Sequence, residues 1–149
     1  MIRLNLPQYS FRIQKSENGS RIFDLLRKKF VALTPEEWVR QNFIRYLIEE
    51  KKYPASLVAV ETGLNYNKLK KRCDITVFDR QGEKWMLIEC KAPEIKISQE
   101  TFNQVATYNV GGTGKTKFLA VTNGLKHYCC EYVDSGEKQY RFLKDFPPF

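Results

Sequence analysis

The sequence predicts an α/β domain with one central mixed sheet flanked by helices, in the order αβββαβ, and with a hairpin added at each end. Three observations predict it. A capped amphipathic helix begins at Thr34, three short apolar runs follow between residues 57 and 91, and a second helix after Ser98 leads into the apolar run 118–122. Helices and strands in that order pack most simply as helices on the faces of a single sheet. A chain of 149 residues suits one domain with a substantial core. Within it we distinguish an N-terminal extension of about 1–30, a core of about 34–123 and a C-terminal hairpin and tail of about 124–149.

Residues 9–14 and 21–26 read as two strands around the turn Ser16-Glu17-Asn18-Gly19. Thr34 can cap a helix, Pro35 suits the first helical position, and Glu37, three residues after Thr34, completes a capping box. From there to about Lys51, Trp38, Val39, Phe43, Tyr46, Leu47 and Ile48 recur at helical spacing, with Arg40, Gln41, Arg45 and Glu49 on the wetter side. After Pro54, residues 57–61 form a first core strand that Gly63 ends. Strands at about 73–79 and 84–91 are joined by Asp79-Arg80-Gln81-Gly82-Glu83, whose turn chemistry makes them antiparallel neighbours. A helix from Ser98 to about Asn109 turns Phe102, Val105 and Ala106 towards the core. The run Phe118 to Thr122 is a strand stopped by Asn123-Gly124, and residues 126–132 and 139–142 close as a hairpin around Asp134-Ser135-Gly136.

Composition narrows the function. Twenty-five basic against seventeen acidic side chains give a net charge of +8, which favours a polyanionic partner. Lys68, Lys70, Lys71 and Arg72 stand just before Asp74, so a phosphate backbone is drawn to that acid rather than repelled. No apolar run approaches the roughly 20 residues of a membrane span, and no apolar signal core follows the start, so a cytoplasmic protein without a membrane partner is expected. Cys73, Cys90, Cys129 and Cys130 show no CxxC spacing and His127 is the only histidine, which argues against zinc and disulfides. Cys129 and Cys130 should point to opposite faces, and His127 reads as a surface or edge-strand residue.

The chemistry concentrates at the ends of the central strands. Asp74 opens the run Ile75 to Phe78, and Glu89-Cys90-Lys91 closes the run Trp85 to Ile88. In a strand Glu89 and Lys91 point the same way, roughly 6.6 Å apart along the backbone, and Cys90 points oppositely. Two carboxylates and an ammonium suit a hard divalent cation: Asp74 and Glu89 would bind Mg²⁺, the Cys90 carbonyl would add a ligand, and Lys91 would orient or deprotonate the attacking water. The plain alternative is three solvated charges at strand ends. Glu61, at the end of the preceding strand, reads equally as a further acid of this site or as a solvated residue. Glu37 is better explained as part of a helix cap, and Glu49 as a surface charge.

Gln104-Val105-Ala106-Thr107-Tyr108 places an amide and a phenol four residues apart on one helix face, where they could reach a phosphate or brace Lys91. The plain alternative is an exposed glutamine and a core tyrosine. The loop Gly111-Gly112-Thr113-Gly114-Lys115-Thr116 lacks GxxxxGK[ST] spacing, since Asn109 stands where a glycine is needed, and it follows a helix instead of opening one. NTPase activity is therefore the weakest reading, and Lys115 and Lys117 are candidates for phosphate contacts that position DNA. No GxSxG motif supports serine chemistry.

On these residues the sequence resembles the amino-terminal nuclease domain of type I restriction enzyme R subunits, within the PD-(D/E)xK nuclease superfamily. Asp74 stands at the first motif acid, although Cys73 replaces the nominal proline; Glu89-Cys90-Lys91 matches (D/E)xK, and Gln104 with Tyr108 matches QxxxY. Residues 33–41 and 121–124 also resemble segments of this domain type, so the resemblance covers roughly residues 30–125. It implies a restriction-endonuclease-like core and Mg²⁺-dependent cleavage of double-stranded DNA, with Mn²⁺ able to substitute. It also implies the motor, specificity and modification subunits of a type I system as partners, and no small-molecule substrate. The alternative is a catalytically inactive nucleic-acid-binding module on the same fold.

Overall fold

The computed structural model describes residues 1–60, 74–111, 116–134 and 138–149, except the side chains of 107–111, 134, 138 and 139. Its elements are β1 (Ile13–Ser16), β2 (Gly19–Asp24), β3 (Lys29–Ala32), α1 (Pro35–Glu49), β4 (Val58–Val60), β5 (Ile75–Phe78), β6 (Lys84–Cys90), α2 (Gln99–Gly111), β7 (Phe118–Thr122), β8 (His127–Asp134) and β9 (Lys138–Leu143). Strands β4 to β9 form one six-stranded sheet in sequential order. Neighbours are antiparallel except β6 and β7, which run parallel. A parallel pair needs a crossover, and α2 supplies it. The α/β class with a central mixed sheet is as the sequence predicts, and consistent with a restriction-endonuclease-like fold.

Strand alternation sorts the core into two clusters on opposite faces of this sheet. On β6, Met86, Ile88 and Cys90 join Val39, Phe43 and Leu47 of α1, whereas Leu87 joins Phe102 and Val105 of α2. Consecutive Cys129 and Cys130 divide the same way. Burial pushes their thiols up to about 12 and about 11, so neither is a reactive thiolate.

The start of α1 forms as predicted, with Thr34 Oγ1 accepting from the Glu37 N–H at 3.0 Å and Pro35 in the first turn. The reciprocal half of the capping box does not form. The Thr34 N–H donates to the Ala32 carbonyl at 3.2 Å, and the Glu37 carboxylate instead serves Arg27, Arg40 and Gln41. Gln41 is buried, and only 14% of the Arg40 side chain is exposed, so these two do not lie on a wet face. The N-terminal strands and Asp74 supply partners on that flank, which helical periodicity alone does not reveal.

The N-terminal hairpin is extended by a third strand into the sheet β1-β2-β3. The chain reverses after β2 because Asp24 Oδ1 accepts from the Leu26 and Arg27 N–H groups at 2.8 and 2.9 Å, and Lys28 adopts a φ of 55°. The predicted turn between β5 and β6 also rests on an aspartate: Asp79 Oδ1 accepts from Gln81 and Glu83 N–H groups, with Gly82 at φ 83°. The strand predicted from residue 57 starts one residue later, since Ala55–Leu57 forms a single 3₁₀ turn, and Glu61 lies outside the described residues.

His127, expected at the surface or on an edge strand, is half-buried at the start of β8. It lies opposite Thr122 of β7, with Nδ1 2.7 Å from Thr122 Oγ1 and Nε2 2.9 Å from the Asn5 carbonyl. Burial lowers its pKa, and the Asn5 bond opposes that only in part. The ring thus pins the N-terminal segment to the sheet.

Candidate active site

Asp74 immediately precedes β5, and Glu89 is the penultimate residue of β6. The last pair of their ladder is Ile75 with Ile88, so one step further Asp74 faces Glu89. Opposed residues of an antiparallel pair share a face. The two acids therefore meet because of strand register, not sequence proximity. Lys91 Nζ lies 3.6 Å from Glu89 Oε1, as the i, i+2 strand spacing predicts.

Asp74 is held on both oxygens. Its Oδ2 accepts from the Cys90 N–H at 2.7 Å, and its Oδ1 accepts from Arg40 Nη2 at 2.7 Å. Glu89 is 8% exposed, and among the described residues its buried Oε2 has no hydrogen-bond partner. Burial, followed by the charge of Asp74, pushes the Glu89 carboxyl up to about 8, with Lys91 acting against both. The shift favours the protonated form, and a cation that displaced this proton would relieve both causes of it.

The residues fit a hard divalent cation on that observation. An unpartnered, desolvated carboxyl oxygen beside a fixed carboxylate is an all-oxygen donor set suited to Mg²⁺, which usually keeps several waters. Among the described residues no group of three or more His, Cys, Asp or Glu converges, and Glu61, the further acid the sequence offers, falls outside them.

Arg40 is the functional neighbour that the sequence reading missed. Its Nη1 donates to Glu37 Oε1 at 2.7 Å, and its Nη2 reaches Glu36 Oε1 at 3.2 Å besides Asp74. Glu36 lies in the field of the same site: burial and then Asp74 raise its pKa, while Arg40 and Lys91 oppose them. The ion network continues outward through Arg27, which donates to Glu37 Oε1 at 3.0 Å and to Asp24 Oδ2 at 2.6 Å. Gln41 bridges Asp24 Oδ2 and Glu37 Oε2 at 2.9 and 3.1 Å. Burial opposes the charge of Asp24, yet the Arg27 and Gln41 hydrogen bonds outweigh it and hold the carboxyl below the usual range. The available signal was the spacing of Glu36, Glu37 and Arg40 at i, i+3 and i+4 in a first helical turn.

Of the other candidates, the described Gln104 and Lys117 do not join this cluster. Gln104 is exposed on α2, outside the ion network; the backbone of Tyr108 lies in α2, with its side chain outside the described residues. Lys117 stands at the opposite end of the sheet. Phe118 pairs with Met86 and Thr122 with Cys90, which puts Lys117 roughly 13 Å along the strands from the acids. There it lies 5.5 Å from the Phe118 ring centroid. Glu61, Lys68, Lys70, Lys71, Arg72, Lys115 and most of the glycine-rich loop fall outside the described residues.

No curated protein matches the chain. The family model for the type I restriction enzyme R protein N terminus (HSDR_N) matches residues 35–147, a span that takes in α1, α2 and the whole six-stranded sheet. It contains Asp74, Glu89 and Lys91 and leaves β1 to β3 outside. The match spans well over half of the sequence, and the chain belongs to the type I restriction enzyme R protein N-terminal family.

Proposed function

We propose that this domain is a Mg²⁺-dependent DNA endonuclease whose site is Asp74, Glu89 and Lys91, acting within a type I restriction system. The observation that carries the reading is the register that sets a desolvated Glu89 carboxyl opposite Asp74, with Oε1 beside Lys91 and Oε2 without a partner among the described residues. Asp74, Glu89 and the Cys90 carbonyl would hold the cation. Bound there, it would lower the pKa of a water and neutralise charge on the phosphate. Arg40 fixes the orientation of Asp74 through Oδ1, and the Cys90 N–H fixes it through Oδ2. Lys91 places its ammonium beside Glu89, where it orients the attacking water and stabilises the charge that builds on the phosphoryl oxygens. The basic run Lys68 to Arg72, just before Asp74 in the sequence, would draw in the duplex, and motor, specificity and modification subunits are the partners this reading implies.

Incubating supercoiled plasmid with the protein in Mg²⁺ or Mn²⁺ tests the proposal. Nicking or linearisation is expected, abolished by EDTA and reduced at least a hundredfold in Lys91→Ala. Equal cleavage by wild type and Lys91→Ala would reject the assignment. One observation favours the second reading, a binding module without hydrolysis: the Arg40 guanidinium already compensates Asp74. That reading predicts salt-dependent DNA binding that no divalent cation converts to cleavage, even with the partner subunits present.

A further inference from the structure

The sheet β1-β2-β3 precedes the family match, and its two faces are chemically different. Register puts Ile13, Ile22 and Val31 on one face. Ile22 and Asp24 are fully buried there, and Asp24 bonds to Gln41 of α1, so this face docks on the body of the domain. The other face carries Arg12, Gln14, Arg21, Phe23 and Phe30. Phe23 and Phe30 meet edge to face with ring centroids 5.2 Å apart, and the Arg12 guanidinium sits 4.5 and 5.5 Å from those centroids.

Among the described residues the charge on this face is uncompensated. Residues 1–33 hold seven basic and two acidic side chains. Of the two acids, Asp24 is on the docked face and committed to Arg27, and Glu17 is in the turn at the hairpin tip. Arg12 and Arg21 are exposed, and neither has a carboxylate partner among the described residues; Arg21 donates only to the Phe30 carbonyl, at 3.0 Å. Two aromatic rings on a sheet surface with a guanidinium over them offer stacking to a flat π-system and hydrogen bonds to an anion at the same place. An unpaired nucleotide presents both, whereas a duplex hides its base faces in the stack.

We propose that the outer face of β1 to β3 is an accessory site for an unpaired DNA strand, whose bases stack on Phe23 and Phe30 and whose phosphates meet Arg12 and Arg21. The choice of DNA rests on the endonuclease reading above; the stacking and the charge do not. The site would hold a displaced or frayed strand while the duplex occupies the acidic cluster.

The test measures fluorescence anisotropy of a labelled oligothymidylate with the whole chain in EDTA, so that cleavage plays no part. Binding is expected, with an abasic strand of equal length held about tenfold more weakly. Phe30→Leu keeps apolar bulk and should weaken the oligothymidylate by about tenfold while leaving the abasic strand unchanged. The double variant Arg12→Ser, Arg21→Ser should flatten the slope of log K against log salt by about 1.4. Equal affinity for the two strands, or an unaltered salt slope in the arginine variant, overturns the proposal. If plasmid cleavage fails while these binding results hold, only the catalytic reading falls.

Discussion

At the scale of single residues, Glu89 carries the sharpest prediction. Its carboxyl is raised to about 8 by burial and by Asp74. A raised carboxyl contributes stability that is complete below the ordinary value of about 4.3 and is lost as pH climbs to about 8. Without divalent cations, Glu89→Gln should therefore melt higher than wild type at pH 8, by an amount on the order of a few kcal/mol, and close to it at pH 5. Mg²⁺ should raise the melting temperature of the wild type but not of this variant. A wild-type melting temperature that ignores Mg²⁺ at pH 8 would contradict the ligand role. Arg40→Met tests the neighbour: it leaves Asp74 and the buried Glu37 short of a partner, and chemical denaturation at pH 7 should register a loss of about 2–3 kcal/mol.

At the scale of elements, two turns distinguish backbone strain from crowding. Gly124 sits at φ 83°, and a Cβ there would lie 2.7 Å from Leu4 Cδ2 and 3.1 Å from Val39 Cγ2. Gly82 has the same φ with open space around it. Gly82→Ala should cost about 1 kcal/mol through the positive φ alone, and Gly124→Ala about 1–3 kcal/mol more, as thermal melts would show. Equal losses would mean that Leu4 yields freely and the N-terminal segment is loosely seated.

The elements also show what the sequence makes legible. Alternation in β5 and β6, the Thr34 side-chain cap of α1 and the aspartate turn at 79–83 follow from residues close in the chain, and they appear where local chemistry puts them. The pairing of Glu89 with Lys91 is legible for the same reason, since it depends only on strand periodicity. Arg40 is different. Its helical position suggests solvent, and only the arrival of Asp74 from another strand makes it part of the site. β3 was missed because its reversal depends on one side chain, Asp24, that is itself locked by Arg27 and Gln41. The anchoring of His127 is not legible because its acceptor, the Asn5 carbonyl, lies 122 residues away.

For the whole molecule, the two titrating acids at the ends of the ion network act in opposite senses. Asp24 is held below the usual carboxylate range, so its contribution is present above about pH 4 and is lost as pH falls below that. Glu89 takes stability away on the alkaline side. Metal-free protein should thus be most stable in mildly acidic solution, and Mg²⁺ should lift only the alkaline limb of a melting curve series across pH. Asp24→Asn should flatten only the acidic limb. An unchanged acidic limb would mean that the link between the N-terminal sheet and α1 does not contribute to folding.

The central claim is that strand register builds a cation site from Asp74 and Glu89. Anomalous diffraction from crystals soaked in Mn²⁺ tests it most directly. The account predicts a manganese peak about 2.1–2.2 Å from carboxylate oxygens of both residues, and its loss in Glu89→Gln. Manganese bound elsewhere, or a peak unchanged in that variant, would contradict it.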